Sequence, residues 1–265
     1  MNKSIGIIGG KGFVGQILKQ YYPGAITSDK YSDNEEIAKV LCCDIIFVAV
    51  NFKDNCASKE SKMELDRYFN PVKDKVFVVK STFVPGTLDY FQDKYPQNYF
   101  IYNCEFLTER TAWEDFTKPL YQILGVPHRS LHLVDEIFSL LPDAPIKRVI
   151  SPLDAEMFKH IKNSYYGLKV IFFNQLFDAC MQIGADYETI RELLIKDPWI
   201  GDSHSQIFHK GYRSYGNADI SKCIPKDLEA IRKLVNMPLL DKVSQINDDL
   251  LVKQNLRTVQ YTLTG

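Results

Sequence analysis

Cys223 stands in the stretch ISKCIPKDLEA, residues 220–230, two positions before a proline. Pro225 suits a first helical position, where its missing N–H costs nothing. Asp227 would then sit in the first turn, complementing the positive end of the helix dipole. A thiol at such an entrance can be acidified below about 8.5, and only the thiolate attacks carbon. The same residues also fit a small apolar side chain in a turn, since most free cysteines are buried and inert. The six cysteines, at 42, 43, 56, 104, 180 and 223, form no CxxC pair and no Cys/His cluster, so no metal site is expected. Four further groups can do chemistry. Lys159 and Asn163 lie four apart and share one helix face. Glu105 and Glu109 follow a strand-like run, also four apart, and Lys80-Ser81-Thr82 ends another. SIGIIGGKGFVG places Gly10-x-Gly12-x-x-Gly15 directly after a strand and before a helix, with Asp29 19 residues beyond Gly10. That is a dinucleotide fingerprint: a tight turn, close backbone approach to pyrophosphate, and a carboxylate for the adenosine ribose. A carboxylate at that place repels a 2′-phosphate and favours NAD over NADP. Each group also has a plain structural reading: a solvated helix face, a surface carboxylate pair, a strand end, a tight turn.

The elements that must position these groups follow from the pattern of apolar residues. Strand-like runs occur at 4–9, 24–29, 44–50, 75–80 and 99–103, separated by helical stretches such as FVGQILKQYY, EEIAKVL and SKMELDRYF. The alternation predicts a doubly wound parallel sheet in an α/β domain over 1–150. From Pro152 to Ile183 the spacing predicts one long helix, followed by helices at 186–196 and from 225, so 151–265 reads as an α-helical domain. Between those last two helices, DPWIGDSHSQIFHKGYRSYGNADISKCI has little periodicity, and a loop of that length points to function or disorder. Of 265 residues, 32 are basic and 33 acidic, which gives no sign of a polyanion-binding surface. No apolar run is long enough to span a bilayer, no signal peptide is evident, and the thiols read as reduced, so a cytoplasmic protein without membrane or nucleic-acid partners is expected.

Taken in order, SIGIIGGKGFVG, VKSTFVPGT, CEFLTERTAWEDF, DAEMFKHIKNSYYGLK and CIPKD resemble the motifs GxGYVG, KSTVPVGT, PEFLREGxAxxDF, AExxKxxxN and GGSCFPKD of the UDP-glucose/GDP-mannose dehydrogenase family. The resemblance runs from residue 4 to about 250. It implies a Rossmann-type domain and an NAD-dependent, four-electron oxidation of a nucleotide sugar's C6 alcohol, with UDP-glucose to UDP-glucuronate expected first. It implies Cys223 as the nucleophile, Lys159 and Asn163 as oxyanion donors, and Asp227, Glu105 and Thr82 as base and water-holding groups. Cofactor contacts are implied for Gly10, Gly12, Phe13, Val14, Gly15, Asp29, Thr82 and Glu109. Substrate contacts are implied for Glu105, Phe106, Leu107, Lys159, Asn163, Phe208, Gly211, Arg213 and Tyr215. The long helix is expected to form a homodimer.

Three departures stand out. Family members continue into a second Rossmann-like domain that holds much of the UDP, whereas this sequence ends at YTLTG, which implies a truncated form with a poorer nucleotide enclosure. YGGSCFPKD becomes YGNADISKCIPKD, with Asn217 replacing a glycine and about four residues inserted. Trp199 occupies DPWIG where many relatives have an arginine, a role that Arg213 can take over; His204 and His209 lie in the same loop. Two alternatives therefore stand beside the first reading. One is a β-hydroxyacid or 6-phosphogluconate-type dehydrogenase, which needs no cysteine. The other is a non-catalytic relative that binds NAD or a sugar nucleotide.

Overall fold

The computed structural model describes residues 3–208, 211–217, 221 and 223–263, with side chains as far as 254. In chain order the elements are β1 (Ile5–Ile8), α1 (Phe13–Tyr21), β2 (Ile26–Ser28), α2 (Asn34–Leu41), β3 (Ile45–Val48), α3 (Lys59–Phe69), β4 (Val76–Val79), α4 (Thr87–Lys94), β5 (Tyr99–Tyr102), α5 (Ala112–Thr117), β6 (Tyr121–Gly125), α6 (Val134–Leu140), β7 (Ile146–Ile150), α7 (Pro152–Ile183), α8 (Tyr187–Leu194), α9 (Ile224–Leu234) and α10 (Pro238–Leu263). The chain forms two compact units, Met1–Lys159 and His160–Gly265.

The first unit is built on a seven-stranded sheet in the order β2-β1-β3-β4-β5-β6-β7. IIFV of β3 and VFVV of β4 are buried at every position, as strands covered on both faces must be. Helices on the two faces enclose two cores. One gathers Phe69, Phe77, Phe91 and Phe100, with Phe69 ring centroids 4.7 Å from Phe77 and 5.0 Å from Phe100. Such edge-to-face pairs strengthen a core beyond its buried area. The other gathers Ile7, Leu18, Phe47, Val78, Leu124 and Ile137. The strand order reverses between β1 and β3, so the crevice beyond their carboxyl ends is where an open sheet binds ligands.

The five expected strands are all present. Two more, β6 and β7, were not visible in the sequence. β7 is the edge strand IKRVI, mostly exposed and carrying Lys147 and Arg148, so it lacks the unbroken apolar run of a central strand. β6 pairs antiparallel with β5 and parallel with β7, which makes the sheet mixed rather than wholly parallel.

α7 runs 32 residues, about 48 Å at 1.5 Å per residue. Ser151 accepts the Asp154 N–H ahead of it, and Gly184, at φ +76°, ends it in a left-handed turn. Its first turns belong to the sheet unit: a Cβ on Gly125 would lie 2.7 Å from Ala155 Cβ. In the second unit, Val170 and Ile171 pack with Tyr215, Ile224, Leu228, Val243 and Leu250, while Phe173, Cys180 and Tyr187 form a smaller cluster. No helix among the described residues is long and apolar enough to cross a membrane.

Candidate functional site

The glycine loop is shaped by close backbone packing. A Cβ on Gly15 would meet Gly9 O at 2.0 Å, and one on Gly10 would meet Thr27 Cβ at 2.7 Å. Gly9, which the spacing did not single out, has φ +88° and would place a Cβ 2.5 Å from Ala49 O. Only glycine tolerates both that angle and that approach. α1 then starts at Gly12 with no side-chain cap and no acidic residue in its first turn. Its first N–H groups are therefore available to an anion. Phe13 is exposed and Val14 half-buried beside them. Asp29 closes the other side: its Oδ2 accepts the Lys11 N–H at 2.6 Å and its Oδ1 the Lys30 N–H at 2.8 Å. Ser28 Oγ, next to it, is buried without a hydrogen-bond partner among the described residues. An uncapped helix start, a side-chain-free cradle, a carboxylate and an orphaned hydroxyl fit a dinucleotide's diphosphate and ribose.

A second group gathers beyond the carboxyl ends of β4 and β5. Ser81 Oγ accepts the Val50 N–H at 2.9 Å and donates to Val48 O at 3.2 Å, fastening the neighbouring strand ends together. Thr82, half-buried, follows. Lys159 Nζ, reaching in from α7, donates to Glu105 O at 2.7 Å and lies 3.4 Å from Glu105 Oε1. Glu105 Oε2 accepts the Leu107 N–H at 2.7 Å, and the Lys159 ammonium sits 5.3 Å from the Phe106 ring centroid. Glu105, Phe106, Leu107 and Lys159 are thus brought together, whereas Glu109 lies exposed beyond them. Lys80 is buried and donates to Asn103 Oδ1 at 2.7 Å; Asn103 in turn donates to Gln122 Oε1 at 3.1 Å. Burial lowers the Lys80 ammonium to about 8, against the pull of Glu105. Asn103 carried no signal in the sequence, because a single asparagine after a strand has no spacing to mark it.

In the second unit, Asn163 Nδ2 donates to Asp227 Oδ2 at 2.5 Å, and both side chains are buried. Gly167, one turn further along α7, explains how α9 comes so close. A Cβ there would lie 3.0 Å from Ile224 Cγ2 and 3.3 Å from Leu228 Cδ1. A glycine inside a helical pattern was the available signal for this contact. Cys223 is the N-cap of α9, exposed, with Pro225 in the first turn and its carbonyl accepting the Asp227 N–H at 3.0 Å. A negative charge at that end of the helix is stabilised by the dipole.

Arg213 donates to Asp178 Oδ1 at 2.7 Å and Asn174 Oδ1 at 3.2 Å, and stacks 4.5 Å from the Phe177 ring centroid. Tyr215 is buried, with its N–H donated to Asn247 Oδ1 at 3.1 Å. Gly211, at φ +85°, is held through its carbonyl by Gln254 at 2.9 Å, and Phe208 is exposed. His204 stacks on Tyr166 with centroids 4.2 Å apart, and Trp199 is 92% exposed. His209 and most of 217–222 lie outside the described residues. Among the described residues no group of three or more His, Cys, Asp and Glu is placed to hold a metal ion.

Residues 153–249 match the central domain of the UDP-glucose/GDP-mannose dehydrogenase family. Over 175 residues the chain is 31% identical to a UDP-glucose 6-dehydrogenase of Rickettsia prowazekii, covering 64% of this chain and 38% of that protein. It is 28% identical over 188 residues to a GDP-mannose 6-dehydrogenase of Pseudomonas putida, covering 64% of this chain and 41% of the relative. The chain therefore spans about two fifths of the length of these curated relatives. A UDP-glucose dehydrogenase from Pyrobaculum islandicum has the same fold, with a TM-score of 0.77 at 21% identity over 100% of this chain and 72% of that one.

Proposed function

From a chain that carries the central domain of the UDP-glucose/GDP-mannose dehydrogenase family, we propose an NAD-dependent dehydrogenase that oxidises the C6 alcohol of a nucleotide sugar to the carboxylate. The observation that carries the reading is the buried Asn163–Asp227 pair in the first turn of the helix that Cys223 caps. A buried amide and carboxylate in the first turn of a helix capped by an exposed thiol is an arrangement suited to acyl chemistry.

Gly10, Gly12, Phe13, Val14, Gly15 and Asp29, together with Thr82 and Glu109, would hold NAD, which would supply the hydride acceptor for both oxidations. The substrate hydroxyl gives up its proton and C6 a hydride, leaving an aldehyde. The Cys223 thiolate adds to that carbonyl carbon, forming the C–S bond of a thiohemiacetal and keeping the aldehyde from escaping. Lys159 and Asn163 donate to the oxyanion that develops. Loss of a second hydride leaves a thioester. Water held by Thr82 and Glu105, with Asp227 taking its proton, attacks the acyl carbon; the C–S bond breaks and the thiol is regenerated. One alcohol, two NAD⁺ and one water give one carboxylic acid, two NADH and two H⁺.

Phe106, Leu107, Phe208, Gly211, Arg213 and Tyr215 are proposed to contact the sugar nucleotide. UDP-glucose is the first substrate to test, with GDP-mannose and UDP-N-acetylmannosamine beside it. The expected result is two NADH per sugar and no free aldehyde. Binding of NAD without NADH formation from any sugar supports the non-catalytic alternative instead.

A further inference from the structure

Glu156 takes no part in the chemistry above, yet it is fully buried on α7. Its Oε2 accepts the Gly86 N–H at 2.6 Å and its Oε1 the Leu88 N–H at 2.9 Å. Gly86 is the N-cap of α4, at φ +92°, and provides no side-chain cap of its own. A carboxyl group from a distant helix thus supplies the cap that the local sequence lacks, satisfying two N–H groups that a helix start leaves open. At φ +92° position 86 takes a serine or aspartate only with strain, so the cap for α4 has to come from elsewhere in the fold.

The two partners of this clasp are the segments that carry the proposed chemistry. Gly86 lies near the end of the VKSTFVPGT segment, residues 79–87, which carries Lys80, Ser81 and Thr82, and Leu88 directly follows it. Lys159 is three residues beyond Glu156, on the next turn of α7, where its ammonium meets Glu105. The helix is rigid over that distance, so fixing Glu156 fixes the base of the Lys159 side chain.

We propose that Glu156 is a positioning residue, whose clasp on the Gly86–Leu88 backbone sets the Thr82 loop and the Lys159 helix in one fixed register. The proposal rests on the dehydrogenase reading for its catalytic consequence, and on geometry alone for the clasp. Replacing Glu156 by Gln keeps the size but leaves an NH₂ facing one of the two N–H groups. Glu156→Asp keeps the carboxyl group but withdraws it by one methylene.

Two measurements test it, on the full chain. In steady-state assays by NADH formation, Glu156→Gln and Glu156→Asp are expected to lower kcat about tenfold or more, because small misplacements of reacting groups are costly, while KM for the sugar nucleotide and for NAD changes less than threefold. In hydrogen exchange, the Gly86 and Leu88 amides are expected to lose protection in both variants. A folded Glu156→Gln protein with wild-type kcat overturns the positioning role and leaves the dehydrogenase reading intact. Unchanged protection at Gly86 and Leu88 overturns the clasp itself. If the wild type shows no turnover with any sugar, the dehydrogenase reading fails and the catalytic consequence with it, while the exchange arm still decides the clasp. Should Glu156→Gln not fold, Glu156→Asp carries both measurements.

Discussion

At the scale of single residues, the strongest expectation concerns Cys223. Cys223→Ala is expected to abolish conversion to the acid while leaving NAD binding unchanged, since the glycine loop lies in the other compact unit. Stopped-flow NADH formation and calorimetric NAD titration check the two halves. Full turnover by the alanine variant would remove Cys223 from the reaction. Asp227→Asn tests the hydrolytic step: it keeps the size beside Asn163 but removes the base, so a covalent acyl-enzyme should accumulate and be visible by intact-mass spectrometry, with turnover down about 10²-fold or more. Lys159 and Asn163 were paired in the sequence by their helical spacing, whereas Cys223 and Asp227 were singled out as catalytic through the family resemblance. Glu156 was quoted among its neighbours but not distinguished from them. Its partners are backbone N–H groups about 70 residues away, and a sequence carries no mark of a backbone donor. Asn103 was missed for the same kind of reason: its bonds to Lys80 and Gln122 cross strands.

At the scale of elements, two close approaches make sharp predictions. Gly167→Val adds bulk where α7 and α9 touch, at a position already 3.0 Å from Ile224 Cγ2. It should cost about 1–3 kcal/mol, seen as a lowered Tm, and should weaken the Asn163–Asp227 bond enough to lower kcat. A variant with unchanged Tm and kcat would show that the contact has slack. The Glu156 clasp predicts a pH dependence. Burial raises its carboxyl to about 8, while the Leu88 and Gly86 N–H groups favour the anion and the neighbouring Asp89 opposes it. A carboxyl raised in the folded state makes folding most favourable at low pH, and that advantage fades as pH rises from about 4.3 through 8. Wild-type Tm should therefore fall between pH 5 and 8 more steeply than that of Glu156→Gln. Equal slopes would place Glu156 outside the titration. The long helix was readable from its periodic apolar residues with no proline past its first turn, and the first five strands from their short apolar runs alternating with helical stretches. β6 and β7 were not, because β7 is exposed along most of its length and β6 is bracketed by Pro119 and Pro127.

At the scale of the whole molecule, α7 presents Phe158, Tyr165 and Phe172 to solvent at intervals of seven residues. A repeat of seven holds nearly the same helix face over several turns, so these rings form an apolar stripe suited to a second copy of the chain. We propose a homodimer through α7. Light scattering of wild type at micromolar concentration should give twice the chain mass, and Tyr165→Glu with Phe172→Glu should halve it; a monomeric wild type would refute this. NAD is expected to bind far more tightly than NADP, because the proposed ribose contact at Asp29 is a carboxylate that would repel a 2′-phosphate. The Lys11 N–H to Asp29 contact joins the glycine loop to the end of β2. A loop already held in this way has little conformational entropy left to lose when a dinucleotide arrives. Association should accordingly be a single kinetic phase whose observed rate rises linearly with NAD concentration, without the plateau that a preceding loop rearrangement would impose.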